Sequence, residues 1–268
     1  MEYPKFVPEG WNKVCNMMTN EELNTAYKNN EIIAGIVKEC DSNYNLHIDF
    51  GNDIKGIIPM QEVEAINIDK AGNPNPNTCV NKVNKIVQFK VKQINDDDVY
   101  ILSRKQVGQE ALNWITNDLK EGEVVHGIVR NIRPYGVFVE IGGGVVGLLH
   151  IEDISVARIK TPLERFKIGQ KIDVMVKCVN KESKRVLLTY KELLGTWEDN
   201  IKAFSQGETV EGIVRETEKN KNGIFIELRP NLVGLADYVD GVDYGQVVNV
   251  NIRKIIPEKK KVKLVIVK

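Results

Sequence analysis

The chain has little cysteine. Its 268 residues hold four, Cys15, Cys40, Cys79 and Cys178. They are scattered with no C-x-x-C pair, so neither a zinc site nor a disulfide framework is expected, and a reduced, cytoplasmic setting is. There is no run of eighteen apolar residues, so no membrane span is expected. The opening MEYPKFVPEGW has no basic patch followed by an apolar stretch, so no secretory signal is expected. Charge of one sign is missing too. Lys+Arg and Asp+Glu both number 37, and the pI is about 6.9. That balance argues against a duplex DNA binder, which carries a basic face. No G-x-x-x-x-G-K phosphate loop, no carboxylate cluster with metal spacing and no Ser/Cys–His constellation occurs. An enzyme is therefore not expected, nor a cofactor, a metal or a small-molecule substrate.

What is present is a repeat. EIIAGIVKECDSNYNLHIDFGNDIKGIIPM from Glu31, EVVHGIVRNIRPYGVFVEIGGGVVGLLHI from Glu123 and ETVEGIVRETEKNKNGIFIELRPNLVGLADY from Glu208 are three versions of one pattern. Gly-Ile-Val recurs at Gly35, Gly127 and Gly212, and a later glycine at Gly56, Gly147 and Gly234. The copies lie 92 and 85 residues apart. That is a domain-sized period, longer than the 20–50 residues of a solenoid unit.

The expected organisation follows from this period. Residues 1–29 form a lead segment with a helix starting near Thr19-Asn20-Glu21-Glu22. Block one spans 30–105. Residues 106–120 show helical spacing in Ala111, Leu112, Ile115 and Leu119 and form a linking helix. Block two spans 121–191. Residues 192–206 repeat the linker pattern with Leu193, Leu194, Trp197, Ile201 and Phe204, and block three spans 207–268. Trp114 and Trp197 hold comparable places in the two linkers and are expected to be packing anchors. Residues 1–120 carry 13 basic and 17 acidic side chains, residues 121–190 carry 11 and 8, and residues 207–268 carry 11 and 9. The front is thus acidic and the two rear blocks are mildly basic.

Within block two the grain is β. Strands are expected over 123–132, 137–141, 145–151, 171–179 and 186–190, with Gly142–Gly144 as a hairpin turn. A short helical turn is expected within 158–170. Gly127 inside the first strand suggests a bend or bulge of the kind a small closed barrel needs. Five short strands with that interruption fit an all-β, five-stranded OB barrel. The expected chain is three such barrels in tandem, joined by short α-helical linkers.

Alternation along the second strand of each block selects a face. Val137, Val139 and Ile141 point inward, Phe138 and Glu140 outward. The same register turns His47 outward in block one and Phe225 in block three. An outward aromatic is a stacking platform, since every base has a π-face. Tyr135 would fall on the inner face by strict alternation, so a bulge at Pro134-Tyr135-Gly136 is expected to reset it.

GEVVHGIVRNIRPYGVFVEIGGGVVGLLHIEDIS followed by FKIGQKIDVMVKCVNKESKRVLLTYKE resembles the S-one RNA-binding domain, named for the largest protein of the bacterial small ribosomal subunit. The match in block two runs end to end. Blocks one and three match in frame but not in face. The whole chain resembles a short, three-copy homologue of that ribosomal protein. The resemblance implies an OB barrel that binds single-stranded RNA through Tyr135, Phe138, His150 and Arg185. Asn180 stands where the family has an acid. Block one offers Tyr44 and His47 but has Pro59 at the histidine position and Asp96-Asp97-Asp98 at the arginine turn. It resembles the first domain of longer members, which docks on other ribosomal proteins. Block three has Asn222 and Asp237 at the tyrosine and histidine positions, and keeps Phe225 with Lys261 in the Lys259–Lys261 run as secondary contacts.

The implied function is single-stranded RNA or mRNA binding in translation, with partners among small-subunit ribosomal proteins through residues 30–105. The alternative is a protein-docking adaptor in an RNA-processing, transcription or translation complex, in which RNA contact is incidental.

Overall fold

A computed structural model of the chain describes residues 5–11, 17–51, 53–66, 68–95, 99–217 and 223–267. Helix α1 (Asn20–Asn29) begins at Thr19, whose hydroxyl accepts from the Glu22 amide while Glu22 answers on the Thr19 amide. This reciprocal cap satisfies two of the amides a helix start leaves unpaired. Strands β1 (Ile33–Cys40), β2 (Leu46–Asp49), β3 (Lys55–Ile58), β4 (Ile86–Ile94) and β5 (Tyr100–Ser103) close into the first barrel, and a short helix α2 (Pro76–Val80) lies between β3 and β4. Helix α3 (Arg104–Asn117) leads into the second barrel, formed by β6 (Val124–Arg133), β7 (Gly136–Gly142), β8 (Val145–His150), β9 (Lys171–Asn180) and β10 (Arg185–Thr189). The third is built from β11 (Thr209–Thr217), β12 (Ile224–Arg229), β13 (Leu232–Ala236), β14 (Val247–Ile256) and β15 (Lys261–Val267).

All three barrels have one topology. The first three strands form an antiparallel meander, the fifth pairs parallel with the third, and the fourth closes against the first. This is the five-stranded OB arrangement. Each has its own core. The middle barrel buries Val129, Val137, Val139, Leu149, Val174 and Leu188, and the third buries Val214, Ile224, Ile226, Val250 and Leu264. Closure needs Gly127, because a Cβ there would stand 2.3 Å from the Val139 side chain. Every first strand carries a bulge at the same place, one residue after Val37, Val129 and Val214.

Three local expectations are corrected. The bulge near Tyr135 does not exist: Arg133 pairs with Gly136, so Pro134 and Tyr135 are the two turn residues of a tight hairpin. The irregularity lies on the partner strand, between Val129 and Asn131. The second linker is not one helix. A 3-10 turn (Lys191–Leu194) ends at Gly195, with φ of 80°, and helix α4 (Trp197–Ile201) starts afresh from the Thr196 cap. Glu140 leaves the barrel outward but does not reach solvent. Residues 5–11 run as a strap across the first two barrels and cover it, and the Glu9 amide donates to its carboxylate at 3.1 Å.

The strap and the linkers make the barrels a braced row. Phe6 inserts among Val107, Ala111 and Ile141 and meets Trp114 at 5.5 Å. The Glu9 carboxylate pairs with Lys82 of the first barrel and Arg104 of α3, and the Glu9 carbonyl accepts from Arg130 of the second. Burial alone would raise the Glu9 carboxyl, but Arg104 and Lys82 outweigh it and hold it at about 2. Between the second and third barrels, Glu227 accepts from both Arg165 and Arg215, and Arg215 also pairs with Glu164.

Candidate nucleic-acid interface

The register of the middle barrel lays out its outer face. Asn131, Phe138, Leu148, Leu187 and Cys178 are successive partners across β6, β7, β8, β10 and β9. Phe138, Leu148 and Leu187 belong to the outward set, because their neighbours Val137, Val139, Leu149, Val186 and Leu188 are core, and Cys178 is turned out by the register shift after Val176. Four apolar or weakly polar side chains therefore stand in one row on the surface, with Leu187 41% exposed. Folding does not require such a row, and contiguous apolar surface on a soluble domain marks a binding site.

Tyr135 and His150 flank that row on one side, along the strands. Gly136 pairs directly with His150, and a Cβ on Gly136 would meet the Leu149 carbonyl oxygen at 2.5 Å and the His150 Cα at 3.1 Å. Glycine thus lets the hairpin press against β8 and brings Tyr135 beside His150. Tyr135 is 50% exposed and meets Phe138 edge to face at 6.2 Å and 84°. The turn, not a bulge, carries Tyr135 to the outer face. The His150 Nδ1 accepts from the Glu152 amide at 3.4 Å, which leaves Nε2 for a ligand.

Arg185 and Asn180 flank the row on the opposite side. They pair with each other, and Leu187 is level with Leu148, so Arg185 is level with Val146. Four strand residues separate that level from His150, about 13 Å at roughly 3.3 Å per residue. Arg185 is exposed and makes no ion pair among the described residues. Asn180 is partly committed: its Oδ1 accepts from the Ser183 amide at 2.8 Å and holds the β9–β10 turn. The five residues therefore form a strip with aromatic rings and an imidazole at one end, apolar side chains in the middle and a guanidinium at the other. The strip fits an extended strand of stacked bases, with the cation meeting phosphate.

Residues 118–191 match the family model described as S1 RNA binding domain. The chain is also 31% identical over 253 residues to small ribosomal subunit protein bS1 of Staphylococcus aureus strain N315, an alignment covering 88% of this chain and 61% of that protein. It is 32% identical over 196 residues to the bS1 of Staphylococcus epidermidis, covering 66% and 49%. The middle barrel carries an S1 domain, and the chain as a whole is similar to these bS1 proteins. It spans about three fifths of the length of the Staphylococcus aureus bS1 it matches. Among solved structures, a multidomain protein with nucleic acid binding domains from Streptococcus pneumoniae is similar over 89% of this chain and 73% of its own, at 13% identity and a TM-score of 0.27.

The other two S1-like barrels present different rows at the same register. In the first it is Glu39, His47, Ile57, Ile101 and Gln93. His47 is occupied within the barrel, its Nε2 3.2 Å from the Asp41 carboxylate. The Asn45 side chain leads a set of hydrogen bonds that hold the Asp41 carboxyl at about 2. Tyr44 sits in the same turn with a left-handed backbone, φ 62°. Pro59 follows β3 where the middle barrel has His150. Asp96, Asp97 and Asp98 lie outside the described residues.

In the third barrel the row is Glu216, Phe225, Leu235, Lys263 and Lys254. It keeps one aromatic and adds two cations. Asp237 is exposed at the histidine position and Asn222 lies outside the described residues. Lys261 opens β15, exposed, while Lys260 pairs with Glu198 at 2.9 Å. Sequence reasoning missed Leu148, Leu187 and Val146 in the middle barrel. The signal was present, since the alternation that turned Phe138 outward also turns out Val146 and Leu148 on β8 and Leu187 on β10.

Proposed function

We propose that this chain is a cytoplasmic single-stranded RNA binder acting in translation, on or near the small ribosomal subunit, and that its activity is binding, not catalysis. The middle barrel is the principal site. Bases stack on Tyr135 and Phe138 and slide along Leu148 and Leu187, His150 gives a polar contact, and Arg185 meets phosphate. The observation that supports this most directly is the exposed row itself, which the core does not need and which stacking chemistry explains. Recognition on such a strip is sequence-tolerant, since stacking reads the face of a base and not its edge.

The first barrel is proposed as a protein-docking domain. Its one outward imidazole is tied to Asp41, and its row carries the acid Glu39 where the middle barrel has the uncharged Asn131. Co-sedimentation tests the whole reading. The native protein should travel with small ribosomal subunits, and excess single-stranded RNA should compete for part of that binding. A protein that stays at the top of the gradient and ignores RNA overturns it.

A further inference from the structure

We infer that the third barrel carries a second base-stacking subsite completed by Arg158 of the middle barrel, so that one RNA strand is held across both. This rests on the RNA-binding reading of the middle barrel. The third barrel alone is poorly equipped: Phe225 and Leu235 give a small apolar platform, but Glu216 flanks it on one side and Asp237 sits near its end. Its two lysines lie on the far side of the row, and the cation on the Glu216 side arrives from the neighbouring barrel.

Arg158 lies in the segment between β8 and β9, and that segment is fixed to the third barrel. The Ala157 amide donates to the Pro230 carbonyl at 2.9 Å, and the Val156 amide to the Asn231 Oδ1 at 3.1 Å. From there the Arg158 guanidinium reaches Glu216 at 3.2 Å. Glu216 is the register partner of Phe225, so its side chain shares the outer face with that ring. Arg158 thus neutralises the acid at one edge of the platform, while Lys263 and Lys254 stand at the other. Its side chain is 81% exposed, and an ion pair that open adds little to folding. Stability does not account for its placement.

The two faces are also connected and held. A cleft of about 730 Å³ between them is lined by Ile151, Glu152, Val156, Arg158, Ile159 and Lys191. Arg165 and Arg215 clamp Glu227 across the junction, so the barrels present both faces in a fixed relation. A strand stacked on Tyr135 and Phe138 can leave past His150, follow this cleft and place a further base on Phe225, with its phosphates between Arg158 and Lys263. Site sizes of about 4–16 nucleotides per OB barrel mean that a short oligonucleotide fills the first face only and a longer one both.

The test uses the full chain, with fluorescent oligouridines of about 8 and about 24 nucleotides read by anisotropy. Arg158→Glu should weaken the 24-mer at least about fivefold and leave the 8-mer within about twofold, with an unchanged melting temperature. Phe225→Ala should give the same length-selective loss, and the double variant little more, because both disable one subsite. Equal loss on both lengths would place Arg158 in general electrostatics, and no loss on the 24-mer would remove it from the path; either result overturns the inference and leaves the middle barrel's role intact. Wild-type protein that binds neither oligonucleotide overturns that role and the inference with it.

Discussion

Removing the two rings of the middle barrel should separate binding from folding. Base–aromatic stacking is worth about 1–3 kcal/mol per base, and about 1.4 kcal/mol is a decade of affinity. Tyr135→Ala and Phe138→Ala should each weaken single-stranded RNA binding by about five- to a hundredfold. The rings touch at 6.2 Å, so the losses should not add. Phe138→Ala also takes away the edge that orders Tyr135, and the double variant should lose at least about tenfold but less than the product of the singles. Stability should respond differently. Neither ring belongs to the core cluster, and the pair itself contributes about 0.5–1.5 kcal/mol. That is about 2–12 °C of melting temperature for a domain of this size. Val139→Ala or Leu149→Ala, by contrast, cuts into the fully buried core. Loss there should approach the about 2–5 kcal/mol seen for large buried side chains. Anisotropy titrations and thermal melts on the two ring variants, their double and a core variant suffice. Undiminished affinity in the double variant refutes the site, and a core-sized stability loss for Phe138→Ala alone refutes the claim that its ring faces outward for binding.

Gly136→Ala touches no base in this scheme, yet should lower both stability and RNA affinity, because its Cβ would collide with the Leu149 carbonyl and push Tyr135 away from His150; melts and titrations together check it. Binding should depend weakly on salt, with a log–log slope of about −1.5 to −3, since Arg185 and the exposed Arg133 and Lys184 beside the strip allow only about two to four phosphate contacts at about −0.7 each. A slope steeper than about −5, or equal affinity for duplex RNA, would mean that a charged groove dominates. The junction of the first two barrels should be acid-sensitive in a defined window. The Glu9 carboxyl is held at about 2 against its ordinary 4.5, so its contribution is complete above about 4.5 and is lost as pH falls towards 2. Burial and the Glu9 charge raise the Glu140 carboxyl, which acts in the opposite sense and softens the fall. Glu9→Gln should start less stable near neutrality and show a flatter melting profile between pH 5 and 2.5.

The fold was legible because its signals are local and repeated. Gly-Ile-Val marks the first strand three times, and period-two alternation separates Val137, Val139 and Ile141 from Phe138. The parts that were not legible depend on distant contacts. Glu140 looked solvent-exposed because nothing near it in sequence announces that residues 5–11 will lie over it. The Pro134-Tyr135 pair has no glycine or asparagine of the kind that usually marks a two-residue hairpin turn, so a bulge was the natural expectation. The candidate strip was partly legible. Phe138 followed from alternation and His150 from the resemblance. That Arg185 stands about 13 Å from His150 follows only from the parallel pairing of β10 with β8, which no local pattern encodes.

The repeat also shows how one frame was given different tasks. Position by position, Lys38 and Asp49 of the first barrel correspond to Arg130 and Glu140 of the second and to Arg215 and Glu227 of the third. In the second barrel the pair is covered by the strap, and in the third by Glu164 and Arg165 of its neighbour. In the first barrel the same pair is open, 4.0 Å apart and more than half exposed at both ends. Arginine stands at the two covered positions and lysine at the open one. That choice follows from chemistry: a planar guanidinium can meet two carboxylates at once and sheds water readily, as a buried junction requires, while a strongly hydrated ammonium suits an exposed pair. The outer faces diverge by the same logic. The row that must hold bases is apolar and flanked by rings in the middle barrel, whereas in the first barrel it begins with Glu39 and its histidine is tied to Asp41. Barrel cores are similar because closure demands it. The rows and clamps differ because each barrel meets a different neighbour, and it is on these outward residues that any division of labour among the three barrels has to rest.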